Sequence, residues 1–173
     1  NSYRDPGSGR RFPGLLEAVC AVPGPEWIRF VTSHPKDFGD GLVRAVAAEP
    51  KICPSLHLPV QSGSSRVLAR MNRGYTREDY LALVNRLKRS VPGLLLTTDV
   101  IVGFPGETEE DFEETCALLS EVRFATIFSF RYSPRPLTAA AALPDDVPLE
   151  TKRRRLIALQ DLQKTVQTGI LGS

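Results

Sequence analysis

The sequence predicts an α/β fold built on parallel strands. Stretches of strand composition alternate with stretches at helical spacing along most of the 173 residues, and such alternation implies parallel strands joined by right-handed crossovers. The segment Leu94 to Val102 (LLLTTDVIV) is a largely apolar run holding one acid, Asp99, which suits a strand covered on at least one face. Polar and Gly-rich segments follow each expected strand, where α/β folds collect their functional groups.

Arg11 to Val22 reads as a helix with Leu15, Leu16, Val19 and Cys20 on one face, stopped by Pro23-Gly24-Pro25. Trp27 to Thr32 (WIRFVT) has strand composition. Helical spacing returns from Phe38 to Ala48, and Ser55 to Val60 is a short apolar strand. Ser62 to Met71 reads as a helix capped by Ser62 or Ser64. The next helix, Thr76 to Ser90, has Thr76 as cap and Glu78 and Asp79 in its first turn. After Leu94 to Val102, Thr108 opens a helix with Asp111 as capping partner. Ala125 to Tyr132 is the fourth strand, Ser133 to Pro148 an irregular loop, and Leu149 to Thr168 a long final helix. Four strands are too few for a closed eight-stranded barrel, which leaves a doubly wound sheet or part of a larger barrel.

Apolar residues make up 42% of the chain, enough for one core, and the net charge of +2 excludes a strongly basic protein. The total hides local asymmetry. Glu107 to Glu121 carries seven acids and no base, whereas Arg66 to Arg89 carries seven bases, among them Arg66, Arg70, Arg73 and Arg77, against Glu78 and Asp79. Basic patches attract phosphate backbones and equally form solvated helix faces; charge alone leaves both readings open. Lys152 to Arg155 reads as a solvated face. No apolar run reaches the roughly 18 residues of a membrane span, so no membrane association is expected. The one methionine is Met71, which suggests a piece of a longer protein. Cys20, Cys53 and Cys116 are dispersed without a CxxC or CxxxCxxC pattern. They read as packing residues in a reducing compartment, with no metal site in the chain.

Candidate functional residues follow the strand ends. They are Ser33 and His34 after the first strand, Gln61 and Ser62 after the second, Asp99 to Gly103 on the third, and Tyr132 to Arg135 after the fourth. His34 suits either a site or a helix cap, and His57 reads as a core histidine. Asp99 needs a hydrogen-bonded or charged partner if buried. Gly103 and Gly106 either make a turn or let the backbone approach a flat ligand. Arg135 suits a phosphate or carboxylate. No Ser-His-Asp order, P-loop or GxGxxG is present.

LHLPVQSGSSRVLARMNRGY (Leu56 to Tyr75) and TTDVIVGFPGETEEDFEET (Thr97 to Thr115) resemble the radical S-adenosylmethionine methylthiotransferases. IRFVTSHPKDF and FRYSPRPLTAAA extend the resemblance over nearly the whole chain, fading after about Gln163. Asp99 and the Ser-Pro-Arg-Pro of residues 133 to 136 look like the tRNA-modifying branches. Gly63 looks like the MiaB type, which acts on isopentenyl-adenosine beside the anticodon; the threonylcarbamoyl-adenosine branch tends to have Ala there. The wording is closest to the animal mitochondrial branch, associated with a cyclin-dependent kinase regulatory subunit. That likeness implies a mitochondrial location, with the cytoplasm as the alternative.

The resemblance implies the last four strands of a partial (β/α)6 TIM-like barrel over residues 1–148, with a helix and divergent tail over 149–173. It implies S-adenosylmethionine across the strand ends near Ser33, His34, Gln61, Ser62, Asp99, Ile101, Gly103 and Tyr132, with Arg135 toward the tRNA nucleoside. In the family, a reduced 4Fe–4S cluster cleaves the cofactor to a radical that opens C2 of the adenine ring to methylthio insertion. The family's cluster loop, its cysteine-bearing amino-terminal domain and its small RNA-binding β-barrel have no counterpart in this sequence. The isolated chain is therefore expected to be inactive, with no catalytic or metal-ligating residue of its own, and to expose an edge strand at Trp27 to Thr32. The alternative is a non-catalytic isoform acting through protein or RNA contacts. Leu137 stands where the family's SPRPGT has Gly, and Leu disfavours positive φ.

Overall fold

A computed structural model describes residues 2–31 and 34–171. The helices are α1 (Phe12–Cys20), α2 (Asp40–Ala48), α3 (Ser65–Arg70), α4 (Arg77–Ser90), α5 (Glu109–Val122) and α6 (Leu149–Leu171); the strands are β1 (Ser55–His57), β2 (Leu95–Val102) and β3 (Thr126–Arg131). The sheet runs β1-β2-β3, and both pairings are parallel, with Leu56 beside Leu96 and Thr98 beside Ile127. This is the expected α/β class with crossover helices.

The first expected strand differs. Trp27 to Val31 pairs only through isolated bridges, Ile28 with Ile52 and Val31 with His57. The partner segment bends between those bridges at Pro54, which has no N–H to continue a ladder. Trp27 and Val31 are 70% and 74% exposed. Thr32 and Ser33 lie outside the described residues. The second expected strand is also shortened, because Pro59 removes a donor just beyond His57. Val60 N–H turns instead to Thr98 Oγ1 (2.9 Å), and pairing resumes as one bridge between Gln61 and Val100.

Two helix starts follow the sequence closely. Thr76 and Asp79 form a reciprocal capping box on α4, and Thr108 and Asp111 do the same on α5. α3 begins later than expected, at Ser65. The Ser64 hydroxyl does not cap it but donates to Asp111 Oδ1 (2.6 Å).

The period-two alternation of β2 places Leu96, Thr98, Val100 and Val102 against the helices, all buried, while Leu95, Thr97, Asp99 and Ile101 face the opposite side. Leu56, Leu58, Tyr80, Leu87, Leu118, Phe124 and Leu159 complete the helix-side core. Leu159 belongs to α6, so the final helix packs into this core. Among the described residues, no helix is long and apolar enough to cross a membrane.

The acidic run of α5 is matched within the molecule. Arg66 pairs with Asp111, Arg77 with Glu121, and Arg154 and Arg155 with Glu109. The basic run Lys152 to Arg155 is thus not a solvated face throughout. Lys152 and Arg155 are 3% and 4% exposed, tied to Asp145 and to Glu107.

Candidate functional site

A cavity of about 470 Å³ opens at the carboxyl edge of the sheet. Its floor comes from the open face of β2 and from the segments that leave each strand. Gln61 lies beyond β1, Asp99 and Ile101 on β2, Phe104 beyond β2, and Phe130, Tyr132 and Arg135 at or beyond the end of β3. Five residues singled out from the sequence, Gln61, Asp99, Ile101, Tyr132 and Arg135, therefore meet in one place.

Asp99 finds its partner one strand over. His57 Nε2 lies 3.3 Å from its carboxylate, and His57 Nδ1 lies 2.9 Å from Thr97 Oγ1. His57 is thus a polar neighbour of the site on the open face, with Phe128 edge-on at 5.8 Å, rather than a helix-side core residue. Gln61 has φ 73°, a conformation that costs a non-glycine residue about 1–2 kcal/mol. Its N–H donates to the Asp99 carbonyl (2.8 Å), and its own carbonyl accepts from Ile101 N–H (2.9 Å). These two bonds make the bridge to Val100 and hold Gln61 against β2 beside the cavity. The Tyr132 hydroxyl donates to the Ala140 carbonyl (2.9 Å), and its ring meets Phe104 edge-on at 5.1 Å. Burial raises the Tyr132 pKa, with Asp145 adding to it.

The remaining candidates sit elsewhere. Ser33 is outside the described residues. His34 takes the capping role, its Nδ1 accepting from Lys36 N–H (3.3 Å), and its ring stands edge-on to Tyr75 at 5.5 Å. The Ser62 side chain is fully buried beside Thr115 (3.4 Å) and faces α5. Gly103, at φ 71°, does make a close approach, but to the stem of Lys152 where its Cβ would stand, not to open space. Its N–H donates to Glu107 Oε2 (2.5 Å). Leu137 adopts φ 67° and is fully exposed. The loop thus keeps a glycine-like conformation despite the leucine. At Gly63, a Cβ would stand 2.5 Å from Thr115 Cα and 2.6 Å from the Glu114 carbonyl, so alanine there requires α5 to shift.

Sequence reasoning missed the buried Glu107–Arg155 pair (2.8 Å), which fastens the turn after β2 to α6. Burial raises the Glu107 pKa, opposed by Gly103 N–H and Arg155. It also missed Phe104 and Phe130 in the cavity wall; the spacing of Phe128 and Phe130 along β3 was the available signal. The cysteines are free, with Cys20 buried and Cys53 and Cys116 half-buried.

Open parallel sheet, helix-covered outer face and ligand-sized mouth define a class, and comparison with known proteins gives it a name. Residues 2–119 match the model of the radical SAM superfamily, and the chain belongs to that superfamily, whose members use S-adenosylmethionine with iron–sulfur clusters. Proteins named tRNA-2-methylthio-N(6)-dimethylallyladenosine synthase are similar at 51% identity in Solibacter usitatus (96% of this chain, 38% of that one), and at 53% in Moorella thermoacetica (96% and 38%). The Chlorobium phaeobacteroides protein of the same name is 50% identical (99% and 39%). The chain thus spans under two fifths of the length of these relatives. Two solved structures share the fold: coproporphyrinogen III oxidase (HemN) from Escherichia coli, with TM-score 0.63 and 22% identity over 78% of this chain and 31% of that one, and Streptococcus suis SuiB bound to precursor peptide SuiA, with TM-score 0.56 and 15% identity over 88% and 32%.

The described residues fit the two cofactor groups differently. A cavity of about 470 Å³ with aromatic walls and a few convergent polar groups has the size and character of a small-molecule site. For a cluster, no group of three or more His, Cys, Asp or Glu among the described residues could hold a metal ion.

Proposed function

We propose that this chain forms the cofactor- and substrate-facing part of a tRNA methylthiotransferase that acts at C2 of isopentenyl-adenosine next to the anticodon. The observation that carries the reading is the pairing of about 50% identity to the dimethylallyladenosine synthases over 96–99% of the chain with a nucleoside-sized cavity at the strand ends. S-adenosylmethionine, when bound, supplies the radical chemistry of the superfamily. The chain's own residues would bind and orient it. Asp99 and the Gln61 segment offer acceptors to ribose hydroxyls, Ile101 and Tyr132 offer apolar and aromatic surface to adenine, and the Phe104–Tyr132 contact walls off water. Gly63, which resembles the isopentenyl branch, packs directly against α5; the threonylcarbamoyl substrate is the alternative.

The described residues offer no cluster site, so the chain alone is expected to modify no RNA. The test is a chimera in which the amino-terminal part of the Moorella thermoacetica relative precedes this chain and that relative's carboxy-terminal part follows it. It would be expressed in a strain lacking its own enzyme, with tRNA nucleosides read by mass spectrometry. Methylthio-isopentenyl-adenosine is the expected product. A chimera that binds a cluster yet leaves tRNA unmodified contradicts the assignment, and methylthiolated threonylcarbamoyl-adenosine would replace the substrate.

A further inference from the structure

We propose that Lys152 is a positioning residue for the cofactor site: its buried ammonium clips together both ends of the segment from Tyr132 to Asp145, which forms one wall of the cavity. The inference rests on the cofactor reading above and names the side chain that fixes the shape of that wall. Lys152 is buried in the opening turns of α6, and two costs attach to that place. A buried ammonium needs a partner, and the positive end of the helix dipole disfavours a cation. α6 is fastened to the rest of the fold without it, by Arg155 on Glu107 and by Leu159 in the core.

The ammonium has two partners, and both belong to the wall. It pairs with the Asp145 carboxylate and stands 5.2 Å from the centroid of the Tyr132 ring, within the range of a cation–π contact. Tyr132 lines the cavity just beyond β3, and Thr138, Ala139 and Ala140 line it from the segment that follows. The Tyr132 hydroxyl donates to the Ala140 carbonyl (2.9 Å), which ties the ring to the middle of that segment. Asp145 holds the far end, and Asp146 beside it accepts from Gly106 N–H (2.7 Å). Lys152 reaches this wall from the helix layer because Gly103, in its path, has no side chain: a Cβ there would stand on the lysine stem. Closing the segment at both ends removes freedom that a ligand would otherwise have to freeze on binding.

The test is calorimetric titration of this chain with S-adenosylhomocysteine, alongside amide hydrogen exchange at Thr138, Ala139 and Ala140. Lys152→Met keeps a stem against Gly103 and removes the charge. It should weaken binding about tenfold, or about 1.4 kcal/mol, and speed exchange at those three amides. Asp145→Ala frees the far end and leaves the cation on the ring, so it should weaken binding less, about threefold. Lys164→Met, on the exposed side of α6, should change neither readout. A lysine that served stability alone would lower the unfolding midpoint of Lys152→Met and leave the affinity of the folded chain unchanged. Wild-type affinity in folded Lys152→Met or in Asp145→Ala, or weaker binding with unchanged exchange at the wall, would overturn the proposal. Should Lys152→Met not fold, Asp145→Ala decides. If the folded wild type binds no S-adenosylhomocysteine, the cofactor reading falls and takes the clip with it; if the wild type binds and the variants match it, only the clip falls.

Discussion

Two adjacent leucines show how differently the two faces of the central strand are used. Leu96 is 2% exposed under the helices, while Leu95 is 48% exposed on the open side. The helix side of β2 is buried packing, apolar except for Thr98, whose hydroxyl is hydrogen-bonded to Val60 N–H and the Leu58 carbonyl. The open side carries Asp99, Ile101 and, across the ladder, His57, Phe128 and Phe130, groups that a stability argument alone would not put there. One face makes the fold and the other presents chemistry, and the period of two in the strand lets a single segment do both.

The widest separation between the faces should come from that leucine pair. Leu96→Ala should cost about 2–5 kcal/mol in urea unfolding, and Leu95→Ala within about 0.5 kcal/mol. Equal costs would erase the distinction. Next comes the segment joining the cavity to the helices. Gly63→Ala drives a methyl against the α5 backbone, and overpacking of this kind costs about 1–3 kcal/mol; a neutral result would show that α5 shifts freely.

The third prediction concerns pH. Burial alone would raise the pKa of Asp111, but Arg66, the Ser64 hydroxyl and the Thr108 N–H and hydroxyl together hold it well below the usual carboxylate range. A depressed folded pKa contributes stability that is present above the unfolded value of about 4 and is lost as pH falls toward the folded one. Chemical unfolding from pH 7 to pH 2 should show the advantage of the wild type over Asp111→Asn shrinking through that window. The smallest effect is a gain. Leu137 holds positive φ in solvent, so Leu137→Gly should stabilise by about 1 kcal/mol, with no change in ligand binding.

The fold was legible wherever local signals agreed with packing. Thr76 and Thr108, each with an acid three residues on, located both long helices, and the apolar run to Val102 located the central strand. The segment at Trp27 was misread because composition cannot show that its partner bends at Pro54. At the site, strand-end placement found Gln61, Asp99, Ile101, Tyr132 and Arg135. It could not separate Ser62, buried against Thr115, from Gln61 beside it. The roles of Arg66 and Arg155 were hidden, because an ion pair between α5 and α3 or α6 joins residues about 45 apart in sequence and leaves no local pattern.

The central claim is that the open face of the sheet is the ligand face. The most direct measurement is a heteronuclear NMR titration of this chain with S-adenosylhomocysteine, which keeps the nucleoside and amino-acid parts of the cofactor without its reactivity. The account predicts saturable shifts at Gln61, Asp99, Ile101 and Tyr132, with Leu118, Leu119 and Leu159 unmoved. Shifts confined to the helix layer, or none at saturating ligand in a folded chain, would contradict it.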